Sequence, residues 1–265
     1  EVTIRDPEQP VPFPEPFDAT IEFRHVSFRY PGAEESVLHD ITFTIPAGQT
    51  VGIIGTTGSG KSTLINLIPR FYDVTDGAIY INGVDIRQVK LSDLRDKIGY
   101  VPQQSNLFSG TIESNLRYAD EDADEEAMRL ALEIAQASDF VLSQPEWLSA
   151  EVAQGGANFS GGQKQRLSIA RALVKRPPIY IFDDSFSSLD YKTDVRLRRA
   201  LKQFVRGSTV IIVSQRVATI KDSDWILVLD EGRVIGQGTH EELLERCDIY
   251  REIAQSQMKL QEVLA

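Results

Sequence analysis

The most specific chemical pattern in the chain is a glycine-rich segment that ends in a lysine and a serine. Residues 55–62 read Gly-Thr-Thr-Gly-Ser-Gly-Lys-Ser, which matches the phosphate-binding loop G-x-x-x-x-G-K-[ST] in full. In such a loop the glycines let backbone N–H groups face phosphate oxygens, and the lysine reaches the terminal phosphates. The residues predicted to contact a bound nucleotide here are Gly55, Thr56, Thr57, Gly58, Ser59, Gly60, Lys61, Ser62 and Thr63.

A loop of this kind works with a carboxylate that helps to hold Mg²⁺. The apolar run Ile179–Phe182 ends in Asp183, and the hydroxyl of Ser62 is the ligand that the loop itself supplies. Carboxylate and hydroxyl oxygens are hard ligands that suit Mg²⁺. The two patterns together predict a site for a nucleoside triphosphate with Mg²⁺, without saying what its hydrolysis drives.

A third pattern narrows the class of protein. Residues 159–166, Phe-Ser-Gly-Gly-Gln-Lys-Gln-Arg, closely resemble the signature motif of ABC-type ATPases. The resemblance covers residues 20–250 and implies a RecA-like α/β P-loop core, an N-terminal antiparallel β-subdomain and an inserted α-helical subdomain. It also implies that the signature binds the γ-phosphate held by another subunit's P-loop. The signature residues assigned to that contact are Ser160, Gly161, Gly162 and Gln163.

Three more positions match the ABC pattern. Tyr30 resembles the aromatic residue that stacks on adenine, although an ordinary strand aromatic is the alternative. Gln103 resembles the Q-loop glutamine that approaches Mg²⁺, and the adjacent Gln104 leaves this register open by one residue. Asp190 closes a segment that resembles the D-loop, which crosses the interface of the ATPase dimer in the family.

Two positions depart from the ABC pattern. Asp184 stands where the family has a catalytic glutamate, and Gln215 stands where it has a switch histidine. Aspartate is one methylene shorter, whereas a general base must lie within about 2.6–3.2 Å of the proton it takes. Glutamine donates a hydrogen bond but cannot become cationic. The catalytic residues of this site would then be Asp183, Asp184, Gln103 and Gln215, and the site resembles the degenerate half of a heterodimeric exporter.

Two segments before the signature resemble the exporter branch of the family. Residues 111–116 resemble its helical-subdomain segment, and residues 150–156 resemble its X-loop. The resemblance implies ATP hydrolysis coupled to export, slow for this chain alone, at the cytoplasmic face of the plasma membrane. The implied partners are a second, different nucleotide-binding domain in head-to-tail contact and the coupling helices of transmembrane domains.

The pattern of apolar and polar residues predicts the strands and helices that position these residues. Alternation at Ile21–Phe28 and at residues 41–45 predicts a small antiparallel sheet. Continuous apolar runs at Thr50–Ile54, Ile179–Phe182 and Thr209–Val213 predict parallel strands that are buried on both faces. Apolar residues at helical spacing predict a helix within residues 125–140.

The N-terminal residues differ from the rest of the chain. Residues 7–16 hold five prolines, a composition typical of an extended, semi-rigid linker. We therefore expect residues 1–19 to join a transmembrane domain that is absent from this sequence, and residues 20–265 to form the ABC domain. Within that domain the helical subdomain is predicted at residues 104–175.

Charge and composition exclude several classes of protein. The chain holds 28 Lys and Arg against 39 Asp and Glu, a net charge of −11, which disfavours nucleic-acid binding because phosphate needs a basic surface. Its single cysteine excludes an internal disulfide bond and a cysteine-cluster zinc site. No apolar run reaches the roughly 18–20 residues that a membrane-spanning helix requires.

Three other functions are compatible with the sequence. The first is a fully active homodimeric exporter domain that tolerates Asp184 and Gln215. The second is an ABC ATPase that acts on DNA or ribosomes; it is disfavoured because no heptad tract separates the P-loop from the signature and only one ATPase cassette is present. The third is a regulatory module that binds nucleotide without hydrolysing it.

Overall fold

The computed structural model describes residues 3–264 and divides them into two compact units. Unit 1 comprises the residues up to Ile98 and those from Gly207 onward, and unit 2 comprises Gly99–Arg206. The strands are β1 (Ile21–Phe28), β2 (Leu38–Ile45), β3 (Thr50–Gly55), β4 (Asp76–Ile81), β5 (Val84–Asp85), β6 (Ile98–Val101), β7 (Gly110–Thr111), β8 (Glu151–Val152), β9 (Ile179–Asp183), β10 (Thr209–Val213), β11 (Trp225–Asp230) and β12 (Arg233–Gly238). The helices are α1 (Lys61–Asn66), α2 (Leu91–Asp96), α3 (Ile112–Arg117), α4 (Glu125–Ile134), α5 (Ser138–Leu142), α6 (Gly161–Lys175), α7 (Tyr191–Phe204), α8 (Val217–Ile220), α9 (His240–Arg246) and α10 (Asp248–Leu264).

An antiparallel sheet forms the N-terminal part of unit 1, in the order β2-β1-β4-β5. Its central strand β1 buries alternate side chains, as a strand with one covered face does. Phe23 of β1 and Phe43 of β2 stack with their ring centroids 4.5 Å apart, which fixes the register of this pair. The predicted antiparallel sheet is confirmed.

A mainly parallel set of strands forms the second part of unit 1. Strand β3 lies between β10 and β11 and runs parallel to both, while β12 pairs antiparallel with β11. The predicted buried strands at residues 50–54 and 209–213 are thereby confirmed, and both are apolar because each face is covered. The carboxyl ends of β3 and β10 meet at one sheet edge, which is where the P-loop and Gln215 follow in the chain.

The proline-rich segment runs along unit 1 without helix or strand and is held by specific contacts. The Asp6 carboxylate accepts a hydrogen bond at 2.8 Å from the Leu91 N–H at the start of α2, and the Val11 N–H donates to the Gln88 carbonyl at 2.9 Å. The Phe13 side chain is buried. These bonds make the segment an ordered strap, and its role as a linker to a membrane domain stays a prediction.

Unit 2 contains the neighbouring strands β6 and β9, the short antiparallel pair β7–β8, and five helices among its described residues. Helices α3 and α4 both pack against α6. The predicted strand at residues 179–182 is confirmed as β9. The predicted helical-subdomain limits, residues 104–175, lie within this unit and stay a prediction.

The helix expected at residues 125–140 is two helices in the structure. Helix α4 ends at Ile134, and Gln136 takes a left-handed backbone angle, φ 60°. The Ala137 N–H then donates to the Leu132 carbonyl at 2.8 Å, a bond typical of a helix C-terminus. The freed Gln136 carbonyl accepts a hydrogen bond from Arg166 of α6 at 2.9 Å. Apolar spacing continues through this break, so hydropathy alone gave no signal of it.

None of the helices described over residues 3–264 has both the length and the apolar composition required to cross a bilayer.

Candidate functional site

The P-loop connects β3 to α1 and is closed around the Lys61 side chain. The lysine Nζ donates hydrogen bonds to the carbonyls of Gly55 and Thr56, both at 3.0 Å, and Lys61 is 9% exposed. The Ser59 N–H donates to the Thr56 carbonyl at 3.1 Å, which tightens the turn. Thr57 and Gly58 are exposed, and so is Ser62. The buried ammonium is thus held at the centre of a loop whose tip faces outward.

Two glycines of the loop are required by their surroundings. A Cβ on Gly55 would lie 2.1 Å from the carbonyl oxygen of Leu229 on the neighbouring strand β11, which no side chain tolerates. Gly60 precedes α1 with φ 99°, a left-handed conformation that favours glycine. These residues are therefore fixed by backbone packing as well as by the need to face phosphate.

The structure brings Tyr30 to the end of the P-loop. The Tyr30 hydroxyl and the Thr63 Oγ1 are hydrogen-bonded at 2.7 Å. The Tyr30 ring makes edge-to-face contacts with Phe28 and Tyr72, at centroid distances of 4.8 and 5.2 Å. The predicted adenine-stacking residue is therefore a half-buried side chain in a fixed orientation beside the nucleotide loop.

In unit 2, Asp183 closes strand β9 and is 7% exposed. The Tyr100 hydroxyl of β6 donates a hydrogen bond to the Asp183 carboxylate. Burial, the charge of Asp183 and this hydrogen bond all raise the pKa of Tyr100. Sequence reasoning missed Tyr100, although its place three residues before Gln103 is a signal that it lies near the same sheet edge.

Asp184 is the next residue, and the structure joins it to Gln103. The Gln103 Nε2 donates to the Asp184 Oδ2 at 3.1 Å. Asp184 has a left-handed backbone, φ 48°, which aspartate adopts more readily than most residues. Ser185, fully buried, donates through its hydroxyl to the Val101 carbonyl at 2.8 Å and anchors the segment after Asp184. The contact favours Gln103 over Gln104 as the Q-loop residue.

The signature begins helix α6 with a capping box. The Ser160 Oγ accepts from the Gln163 N–H at 3.1 Å, while the Gln163 Oε1 accepts from the Ser160 N–H at 3.0 Å. Gly161 is exposed at the first helical position, and a Cβ placed on it would meet nothing within 4 Å. The helix N-terminus predicted at the signature is therefore present.

The D-loop lies beside the signature in unit 2. A Cβ on Gly162 would be 3.6 Å from the Ser188 carbonyl oxygen. Asp190 caps α7 by accepting from the backbone N–H of Thr193 at 2.9 Å and from its hydroxyl at 2.7 Å. These two hydrogen bonds lower the pKa of Asp190. The carboxylate is thus ionised and exposed next to the signature.

A buried glutamine that sequence reasoning missed ties the signature helix to the Q-loop. Gln165 of α6 is 1% exposed and donates through Nε2 to the Pro102 carbonyl at 3.2 Å. Its Oε1 is hydrogen-bonded by the Ser105 hydroxyl. The segments on both sides of Gln103 are therefore attached to α6.

Gln215 lies in unit 1, exposed in the loop after β10. The Ser214 N–H donates to the Ile53 carbonyl at 3.1 Å, so this loop leaves the sheet beside the strand that leads into the P-loop. The Gln215 carbonyl accepts from the Gln257 Nε2 at 2.6 Å. Gln257 belongs to α10, more than 40 residues later, and no sequence motif pointed to it.

The residues present fit a bound nucleotide with its metal. The loop presents left-handed glycines and a buried ammonium, which is the chemistry that phosphate oxygens require. The predicted ligands Ser62, Asp183 and Gln103 offer hydroxyl, carboxylate and amide oxygens, the hard donors that Mg²⁺ prefers.

Comparisons with known proteins agree with this arrangement. A family profile described as ABC transporter matches residues 38–187, more than half of the chain. An uncharacterized ABC transporter ATP-binding protein of Mycobacterium tuberculosis is 50% identical over 234 residues, 87% of this chain and 40% of the relative. An ATP-dependent lipid A-core flippase of Pseudomonas fluorescens is 44% identical over 231 residues, 87% of this chain and 38% of the flippase.

A solved structure shows the same fold. The structure of a bacterial Atm1-family ABC exporter with ATP bound superposes with a TM-score of 0.91 and 38% sequence identity, covering 96% of this chain and 44% of that one. The chain spans about two-fifths of the length of the curated relatives described above. With its P-loop and signature it belongs to the ABC transporter family, as an ABC ATPase domain that binds ATP.

Proposed function

We propose that this domain powers an exporter. ATP binding would draw it into head-to-tail contact with a second nucleotide-binding domain, and coupling helices of transmembrane domains would carry the motion into the membrane. The domain would then work at the cytoplasmic face of the plasma membrane. Support comes from the names of its relatives, a lipid A-core flippase and an Atm1-family exporter, and from the 40% share of a relative's length that it spans.

The residues assigned to the nucleotide would each have a separate role. Lys61 and the P-loop N–H groups bind the phosphates, and Tyr30 stacks on adenine. Ser62, Asp183 and Gln103 would hold Mg²⁺, which would supply positive charge against the developing phosphate charge. The closed P-loop around Lys61 and the anchored Tyr30 ring support these assignments.

The chain's own site would be catalytically degenerate. The observation that carries this proposal is the chemistry of two positions, Asp184 and Gln215, in a chain whose P-loop and signature are intact. The Asp184 carboxylate is one methylene short and is already engaged by Gln103 at 3.1 Å, so it holds an attacking water poorly. Gln215 brings no positive charge to the developing phosphate charge.

The signature would serve the partner's site instead. Ser160, Gly161, Gly162 and Gln163 would contact the γ-phosphate bound by the partner's P-loop, and Asp190 would lie across the interface. The exposed, capped start of α6 supports this assignment, because its glycines leave room for close approach.

Restoring the family residues tests the degenerate site. The double variant Asp184→Glu with Gln215→His should raise the turnover of ATP by about tenfold or more, and by more than either change alone, since misplacement of about 1 Å costs on the order of 100-fold. The assay uses the isolated chain at high concentration, where two copies pair and each presents an intact signature.

A control carries the same substitutions at exposed positions outside the site, Asp222→Glu with Gln255→His, and should leave turnover unchanged. Wild-type turnover as fast as that of the restored variant would instead support an active homodimer. ATP binding without turnover in every variant would support a regulatory module.

A further inference from the structure

Helix α8, which follows the loop bearing Gln215, has no local cap. Its N-cap residue Arg216 makes no side-chain capping hydrogen bond. The first N–H of the helix, on Val217, donates instead to the Oε1 of Gln257 at 2.8 Å. A side chain from another helix thus satisfies one of the N–H groups that have no partner within the first turn of a helix.

The same Gln257 amide holds the loop at a second point. Its Nε2 donates to the Gln215 carbonyl at 2.6 Å, so the donor and the acceptor of one side chain bind the backbone two residues apart. The opposite orientation of the amide would set oxygen against carbonyl and N–H against N–H. Gln257 therefore specifies both the position and the direction of this stretch of backbone.

The two hydrogen bonds from Gln257 to residues 215 and 217 form a clamp, and both of its ends are anchored. The turn of α10 before Gln257 is buried through Tyr250 and Ala254, in the same apolar cluster as Val217 and Ile220. At the other end the Ser214 Oγ accepts from the Arg216 N–H at 3.0 Å. The loop is consequently fixed between β10 and α10, with the Gln215 side chain exposed.

We propose that Gln257 is a positioning residue that sets the backbone at Gln215, so that helix α10 controls ATP turnover through this loop. The proposal rests on the proposed function only in that Gln215 must lie at the γ-phosphate. Gln257 itself acts on the loop backbone. Its loss should therefore slow the chemical step while leaving ATP binding in place.

The clamp itself is tested without nucleotide, by hydrogen exchange in the full-length protein. Gln257→Ala removes both bonds and should speed exchange at the Val217 amide by roughly 2- to 10-fold, the effect of one lost net hydrogen bond. The Ser214 amide, bonded to Ile53, should exchange as before, which shows that the unit remains folded.

Turnover is tested with an isosteric variant. Gln257→Glu keeps an acceptor for Val217 but turns an oxygen toward the Gln215 carbonyl. In the isolated chain at high concentration, where two copies pair and turnover comes from this chain's own site, it should lower kcat about fivefold or more with unchanged KM for ATP. Gln255→Glu makes the same change at an exposed position of the same helix and should leave kcat unchanged. In a Gln215→Ala background, Gln257→Glu should have little further effect.

Unchanged exchange at Val217 in Gln257→Ala would overturn the clamp. Faster exchange at Val217 in Gln257→Ala, together with an unaltered kcat in Gln257→Glu, would overturn the link to turnover. If Gln215→Ala alone leaves kcat at the wild-type value, the proposed role of Gln215 fails and with it the link to turnover, whereas the exchange result still judges the clamp.

Discussion

Tyr100 and Asp183 form a hydrogen-bonded pair in which the tyrosine orients the carboxylate. The tyrosine hydroxyl donates to the buried carboxylate from the neighbouring strand, which fixes the orientation of the carboxylate. A carboxylate held in this way meets a metal with less reorganisation. Tyr100 is therefore expected to affect the metal-dependent part of ATP binding.

The variant Tyr100→Phe isolates that effect. ATP affinity without Mg²⁺ should stay the same, whereas the gain in affinity on adding Mg²⁺ should fall by about tenfold, because a hydrogen bond to a charged group contributes roughly 1.5–3 kcal/mol. Titration calorimetry with and without Mg²⁺ measures both. An equal loss under the two conditions would indicate a general packing effect and would contradict the assignment.

Asp184 shows how one backbone angle favours one residue type. Its left-handed conformation is several-fold enriched in aspartate and asparagine, so a glutamate introduced there carries a conformational cost. The restored variant described above should accordingly be compared with wild type for thermal stability as well as for turnover.

Helix α6 connects two parts of the proposed site. Its N-terminus presents the signature. In its second turn the buried Gln165 is hydrogen-bonded to Pro102 and Ser105. Movement of the Q-loop would therefore be transmitted to the signature through a side chain that is 1% exposed. The capping box at Ser160 keeps the first turn rigid.

Gly161→Asp separates the stability of α6 from its function. The new side chain has open space and a negative charge at a helix N-terminus, so the isolated chain should be as stable as wild type or up to about 1 kcal/mol more stable. If the signature faces the partner's γ-phosphate, the carboxylate should lower ATP turnover of the assembled protein by about tenfold or more.

The measurements for this variant are thermal unfolding and ATPase activity, with Gly161→Ala as the matched change that adds a Cβ without charge. Turnover equal to that of the alanine variant would count against the contact in trans.

At the level of the whole molecule, two buried tyrosines make the free energy of unfolding depend on pH in the alkaline range. Burial raises the pKa of Tyr180 to about 12, partly offset by Arg176, and burial with the charge of Glu241 raises the pKa of Tyr250 to about 12. The unfolded chain loses these protons near pH 10, whereas the folded chain keeps them. The stabilisation is thus complete below pH 10 and is lost as the pH rises from 10 to 12.

Tyr180→Phe removes one of these titrations. Between pH 10 and 12 its free energy of unfolding should fall less steeply than that of wild type, by up to about 1.4 kcal/mol per pH unit. Denaturant unfolding at pH 9, 10 and 11 gives the two slopes, and the comparison cancels all other titrating groups. Parallel curves would show that Tyr180 ionises equally in both states.

The sequence alone determined the parts of this protein whose chemistry needs adjacent residues. The P-loop, Asp183 at the end of an apolar run, the signature and the strands β1, β3, β9 and β10 are all contiguous patterns, and the structure contains each of these segments where it was predicted. Phosphate binding by backbone N–H groups and burial of both strand faces impose fixed local spacing, which hydropathy and motif reasoning detect.

Only the tertiary structure decided which distant residues touch. The bonds from Tyr100 to Asp183 and from Gln257 to Gln215 join residues that are 83 and 42 positions apart, and the Gln103–Asp184 contact spans 81. The break at Gln136 depends in the same way on a distant residue, because the Gln136 carbonyl accepts a hydrogen bond from Arg166 of helix α6. Such pairings arise because every buried donor and acceptor must find a partner in the folded chain, and hydropathy says nothing about which partner that is.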